Sequence, residues 1–275
     1  MHKKKIIGFI YLFTALAAVY LFGGYFIIEQ APSDYEKSIS KLKYQLDFEN
    51  IYCMADNAAV KETNTDSSNA EKTVYLTFDD GPSARTEEIL DILDEYDIKA
   101  TFFIVYNDSD KAKEIISRTY ESGHTIGVHS TSHSYKEIYK SVDSFLSDFE
   151  TCFEYIKDIT GDIPSIFRFP GGSVNSYNKA VRKDIAQELV RRGFTYFDWN
   201  VSGEDATKSY SEESIYNNVV MGCKGRSHSV VLLHDSAAKK ETVAALKRII
   251  PDLLEEGYVF KALDENAQPT IFRID

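Results

Sequence analysis

Basic residues are few and scattered in this sequence, and no internal repeat recurs along it. With 31 Lys and Arg against 43 Asp and Glu, the formal net charge is −12. That balance excludes a nucleic-acid partner, because neutralising phosphates needs clustered Lys and Arg. The only such cluster is Lys3-Lys4-Lys5 at the N-terminus. Cysteine is nearly absent. Cys53, Cys152 and Cys223 are odd in number and lack metal-ligand spacing, which argues against a disulfide framework. There is a single tryptophan, Trp199. What remains is 43% hydrophobic over 275 residues, enough for one sizeable core and a short extra segment.

Charge is also missing locally. Residues 6–28 contain none, and the run is long enough to cross a bilayer as a helix. Lysines precede it and Glu29, Asp34 and Glu36 follow, so the N-terminus is expected in the cytoplasm and the remainder outside. Ala15-Leu16-Ala17 resembles a signal-peptide cleavage site, but apolar residues continue well beyond it, which favours an uncleaved anchor. Three segments are therefore expected: a cytoplasmic tip and transmembrane helix (1–28), an extracytoplasmic linker with a possible short helix (29–72), and a folded domain (73–275). The linker rests on composition, since 55–72 is rich in Asn, Thr, Ser, Asp and Ala.

Within the third segment apolar runs and amphipathic stretches alternate. Strands are expected at 74–78, 100–105, 125–128, 166–169, 195–199, 230–233 and 258–262, with helices at 86–96, 111–122, 142–159, 179–192, 212–221 and 239–256. Gly123, Gly161, Gly193 and Gly257 fall where helices should stop. Repeated β-then-α units imply an α/β fold with a parallel sheet, and about seven of them a distorted, incomplete (β/α) barrel. Asp79, Asp80, His129, Arg168, Asp205 and His234 all lie at or just beyond expected strand ends. In such folds that is one shared address.

The chemistry of these residues is specific. Asp79 and Asp80 end an apolar strand, where two adjacent carboxylates are costly unless a cation compensates. His129 and His133, four apart, bring two imidazoles close enough to share a metal. One Asp, two His and an open position suit a hydrolytic metal site, with the second Asp left over as a base. His124 reads as structural, and His2 and His228 have no functional claim.

Five segments in order complete the pattern: Thr77-Phe78-Asp79-Asp80-Gly81-Pro82, His129-Ser130-Thr131-Ser132-His133, Arg168-Phe169-Pro170-Gly171-Gly172, Trp199-Asn200-Val201-Ser202-Gly203-Glu204-Asp205 and Leu232-Leu233-His234-Asp235. Over about residues 73–262 this resembles the polysaccharide deacetylases of carbohydrate esterase family 4, the NodB-homology domain. The resemblance implies that Asp80, His129 and His133 bind a divalent metal, usually Zn2+, with Co2+ also accepted. It implies Asp79 as general base, Arg168 as its orienting partner, the Gly171 N–H as oxyanion donor and His234 as general acid. Asp205 would orient His234, with Asp198 as the competing candidate.

Two departures bear on specificity. Ala206 stands where a tryptophan often follows the fourth-motif Asp, and Gly171 where some relatives carry tyrosine. Leu232 keeps one wall of the acetyl pocket, which Trp199 or a loop would close. The expected reaction is hydrolysis of N-acetyl groups on a cell-surface polysaccharide by a membrane-anchored monomer. Peptidoglycan N-acetylglucosamine is the leading substrate. N-acetylmuramic acid, poly-N-acetylglucosamine, chitin oligomers and acetylated xylan are alternatives. An inactive glycan-binding module and a small-amide hydrolase are the rival classes.

Overall fold

The computed structural model of the chain describes residues 71–274. The expected membrane-spanning helix and nearly all of the expected linker lie outside them, and among the described residues no helix is long and apolar enough to cross a membrane. Strand β1 (Thr73–Asp79) leads to α1 (Ala84–Glu95), β2 (Thr101–Val105) to α2 (Asp110–Glu121), and β3 (Thr125–Ser130) to the short α3 (Tyr135–Ile138) and the long α4 (Val142–Thr160). Then follow β4 (Ile166–Phe167), α5 (Arg182–Arg191), β5 (Thr195–Tyr196), β6 (Val201–Ser202), α6 (Glu212–Cys223), β7 (His228–His234), α7 (Lys240–Glu255) and β8 (Val259–Phe260).

Local sequence explains the boundaries. Ser83 starts α1 by accepting the Arg85 N–H, while Thr86 accepts the Ser83 N–H in return. The Ser141 hydroxyl caps α4 by accepting the Ser144 N–H, and Gly161 ends it in the left-handed region at φ 74°.

The strands form one parallel sheet in the order β5-β4-β3-β2-β1-β7-β6, with β8 added to the start of β1. Cross-strand partners point the same way, so the register assigns the faces. Asp79 is level with Phe103 and with His234. The alternate residues Val74, Leu76 and Phe78 are fully buried on the opposite face, where Phe78 stacks on Phe102 at 5.1 Å. Inside the curve of the sheet, Phe103, Ile166, Phe197, Val230 and Leu263 form a buried cluster joined by Tyr75, Trp199 and Ala267. Gly127 must be glycine here, because a Cβ would lie 2.6 Å from the Phe103 ring.

The open barrel therefore matches the expected α/β architecture, with differences in detail. Of the expected strand at 195–199 only Thr195–Tyr196 forms, as β5, and β6 is a separate strand beyond that range. β5 pairs with β4, whereas β6 pairs with β7. Among the described residues no ladder joins β5 to β6, so the barrel has an open seam. The chain near the C-terminus closes it through Asp198, which is fully buried. The Asp198 carboxylate accepts the Ser173 N–H (2.8 Å), the Ser173 hydroxyl (2.5 Å) and the Phe272 N–H (2.7 Å), and its own N–H donates to the Thr270 carbonyl at 2.7 Å.

Because three donors depend on that one carboxylate, Asp198→Ala leaves them buried and unpaired. The expected loss is about 3 kcal/mol of unfolding free energy, read from urea denaturation. A change under about 1 kcal/mol, the worth of one ordinary hydrogen bond, would mean the seam is held by something else.

Candidate active site

The site sits at the C-terminal rim of the inner face. Asp80, the first residue past β1, and His129 and His133, at and after the end of β3, place one ligand atom each within 4.8 Å of one another. Asp80 Oδ1 lies 3.2 Å from His133 Nε2 and 3.6 Å from His129 Nε2. It is buried without a hydrogen-bond partner. Tetrahedral ligands of one zinc-sized ion keep a mutual spacing of about 3.4 Å. An orphaned carboxylate oxygen facing two imidazole nitrogens at that spacing fits a divalent cation.

The backbone is bent to make this possible. Register between β2 and β3 shifts from Ile104↔Val128 to Val105↔Ser130, leaving His129 as an extra residue without a partner. Such a bulge re-aims a side chain. Asp80 at φ 75° and His133 at φ 50° are in the left-handed region, a conformation costly for non-glycine residues. His129 Nδ1 lies 2.9 Å from the Arg168 carbonyl. A carbonyl only accepts, so Nδ1 carries the proton and Nε2 keeps its lone pair toward Asp80. Burial, with His133 nearby, pulls the His129 pKa down to about 3, which keeps the ring neutral.

Asp79 is the last residue of β1 and is buried. Its Oδ1 accepts from Arg168 Nη1 at 2.9 Å, and its Oδ2 lies 3.8 Å from His129 Nε2. Arg168 is fully buried, and its charge is met on several sides. Nη1 also donates to Thr77 Oγ1 (2.6 Å), Nε to the Phe197 carbonyl (2.9 Å) and Nη2 to the Asp198 carbonyl (3.1 Å). The guanidinium stands 4.3 Å over the Phe103 ring.

On the neighbouring strand, His234 Nδ1 and Asp205 Oδ1 are 2.7 Å apart. Asp205 Oδ2 accepts the His234 backbone N–H (2.9 Å) and the Thr242 hydroxyl (2.8 Å). Burial alone would lower the His234 pKa, but the hydrogen bond and charge of Asp205 outweigh it, and Asp79 and Asp80 add to a net upward shift. Burial raises the Asp205 pKa, and the His234 hydrogen bond overcomes it to leave a net lowering. Both shifts favour an ion pair. Asp205, not Asp198, is therefore the carboxylate against His234.

The remaining expected residues are spread around this centre. Gly171 has φ 73°, and its N–H meets no acceptor among the described residues. Leu232 is buried one layer below His234 on the same face. Trp199 is half-buried against the inner cluster, edge-to-face with Phe272 at 4.9 Å. Ala206 is exposed beside Asp205. His124 is structural: its Nδ1 accepts the Ala100 N–H at 3.1 Å.

The polysaccharide deacetylase family model matches residues 66–190. A putative polysaccharide deacetylase of Bacillus subtilis, YheN, is 33% identical over 216 residues, covering 76% of this chain and 73% of its own. The crystal structure of the catalytic domain of a peptidoglycan N-acetylglucosamine deacetylase from Eubacterium rectale superposes with a TM-score of 0.71 at 38% identity, over 78% of this chain and 98% of that domain. The chain belongs to the polysaccharide deacetylase family. A further relative, a family 4 acetyl xylan esterase from Clostridium thermocellum, was solved with a cobalt ion; it is 31% identical over 70% of this chain and 88% of its own, with a TM-score of 0.59. The family is metal-dependent, and the Asp80, His129 and His133 trio of this deacetylase is a candidate metal site.

Two residues of the deacetylase site were not foreseen in the sequence. Asp235, beside His234, is buried with its Oδ2 accepting the Thr86 hydroxyl, and burial pushes its pKa up to about 7. A Cβ at Gly81 would lie 2.2 Å from that oxygen, so the glycine after Asp80 is needed for this close approach. Asp148 on α4 organises the loop between the two histidines. Its Oδ2 accepts the Ser130 hydroxyl (2.5 Å) and the Thr131 N–H (2.8 Å), and its Oδ1 accepts the Ser132 N–H (2.8 Å). Ser130 Oγ in turn accepts the His133 N–H at 2.9 Å. Nothing in the periodicity of α4 distinguishes Asp148 from its other acidic residues.

That carboxylate holds His133 in its left-handed conformation from a distance. Asp148→Asn turns an acceptor against N–H donors, and the expected result is a loss of about 10–100-fold in zinc affinity. Competition against a chelating indicator measures it; an unchanged affinity would show that the loop holds its shape without Asp148.

Proposed function

We propose that this chain removes N-acetyl groups from a cell-surface polysaccharide by zinc-dependent hydrolysis, with N-acetylglucosamine of peptidoglycan as the substrate. The observation that carries the reading is the placement of two different proton-handling pairs around one trio. Asp79 with Arg168 is an acceptor; His234 with Asp205 is a donor. Cobalt suits the same donor set as zinc.

A divalent ion held by Asp80, His129 and His133 supplies Lewis-acid polarisation of the amide carbonyl and makes water more acidic. Asp79 Oδ2 takes the proton of the attacking water as its oxygen bonds to the carbonyl carbon, while Arg168 holds the other carboxylate oxygen in place. The Gly171 N–H donates to the carbonyl oxygen as charge gathers there. His234, whose pKa Asp205 raises, protonates the nitrogen as the carbon–nitrogen bond breaks. The products are acetate and a free amine, which becomes cationic and makes a cell wall a poorer lysozyme substrate. Acetylated xylan is the second reading, favoured by the resemblance to the xylan esterase. The residues that would do the chemistry argue against a binding module.

Release of acetate from purified peptidoglycan, chitin oligomers and acetylated xylan by the full chain tests this directly. Chelation should stop release and zinc or cobalt restore it. Asp79→Asn should lower turnover by about 10²–10⁴-fold while keeping the metal. Asp205→Asn removes the group that raises the His234 pKa, so the alkaline limb of the pH–rate profile should move to lower pH. No acetate from any glycan would overturn the enzyme reading, and acetate from xylan alone would replace the substrate.

Location is part of the proposal. Residues 6–28 are an uncleaved anchor that keeps the N-terminus cytoplasmic and the catalytic domain, acting as a monomer, at the outer face. The protein should then fractionate with membranes at full length, and an N-terminus starting after Ala17 in the medium would identify a signal peptide instead.

A further inference from the structure

One half-buried group at the rim is unused by the mechanism above. Tyr135, the first residue of α3, stands edge-on to the His133 imidazole at 5.2 Å. On its other side, a Cβ built on Gly171 would lie 2.9 Å from the Tyr135 hydroxyl oxygen and 3.0–3.1 Å from two ring carbons. The hydroxyl thus occupies the space beside Gly171, while the ring lies against His133 of the trio. Neither the Tyr135 O–H nor the Gly171 N–H meets an acceptor among the described residues. Two donors without a protein acceptor thus lie side by side at this edge of the site.

We propose that Tyr135 is a further catalytic residue, donating its phenolic hydrogen bond to the acyl oxygen of an N-acylated sugar alongside the Gly171 N–H. The inference rests on the deacetylase reading of the same site. As the water oxygen bonds to the carbonyl carbon, the π pair moves onto the acyl oxygen, which the two donors hold. When the carbon–nitrogen bond breaks, that pair re-forms the carbonyl, and the proton on nitrogen comes from His234. Tyr135 gives up no proton and is unchanged at the end.

The phenol is held ready for this role. The Tyr139 hydroxyl donates to the Pro170 carbonyl at 2.7 Å, one residue before Gly171, and the Tyr139 ring meets Tyr135 edge-on at 6.2 Å. Tyr177 supports Tyr135 from a third direction at 5.5 Å. Donors fixed before the reaction stabilise developing charge without reorganising, and this is where such groups are worth most.

Tyr135→Phe keeps every ring contact and removes only the hydroxyl. In the full chain with zinc, on whichever glycan the wild type deacetylates, kcat should fall by about 10²-fold with KM and zinc affinity unchanged. A structural role would not produce that split. An active wild type with an unaffected Tyr135→Phe variant overturns the inference and leaves the deacetylase reading standing. A fall in kcat matched by weaker zinc binding also overturns it, by showing that the residue positions His133. A wild type that releases no acetate from any glycan removes the reading and the inference together.

Discussion

A buried guanidinium organises this molecule. Arg168, just past β4, reaches across the inside of the barrel to Thr77 and Asp79 on β1 and to the Phe197 and Asp198 carbonyls after β5. Its own carbonyl lies against the Nδ1 of His129. A full positive charge out of water is tolerable only with such complete pairing, and removing one member of a buried pair typically costs about 3–5 kcal/mol. The same pairing leaves Asp79 with one oxygen committed and one free. The constraint that stabilises the interior is therefore also the one that shapes the site.

Period-two alternation converts that interior into two levels. Thr77 and Asp79 share one face of β1, as do Leu232 and His234 on β7, while the bulge in β3 re-aims His129. The lower level is apolar and crowded, which is why Gly127 has no room for a side chain against Phe103. The upper level is polar and incompletely satisfied, with the Asp80 oxygen as its clearest orphan. Departures from regular backbone gather there too: the bulge at His129 and the left-handed Asp80 and His133. Asp148 offsets part of that cost with three hydrogen bonds from α4.

The open seam is the other structural choice. A parallel barrel that does not close must satisfy two exposed strand edges. Here residues 270–272 bond to Asp198 beside the seam, and Asp198 also fastens Ser173 just after the Gly171-Gly172 turn. Asp198 and Asp205 are both fully buried carboxylates after β5, and burial does not tell them apart. Their partners do: backbone and serine donors for one, an imidazole for the other.

The alternating apolar runs and amphipathic stretches carried the α/β class, the approximate strands and the parallel sheet, because burial on two faces needs continuous apolar strands and one-sided helices. Asp79, Asp80, His129, His133, Arg168 and His234 stood out because charged and metal-binding types at strand ends have few structural uses. The sequence by itself determined which chemistry the rim could hold. It could not determine that the strand expected at 195–199 stops at Tyr196 beside an open seam, that His129 sits in a bulge, or that Asp205 rather than Asp198 meets His234. Nor could it show that Asp148 and Tyr135 belong to the rim. Each of these depends on contacts between residues distant in the chain or on backbone angles that no residue type dictates, and only the packed sheet decided them.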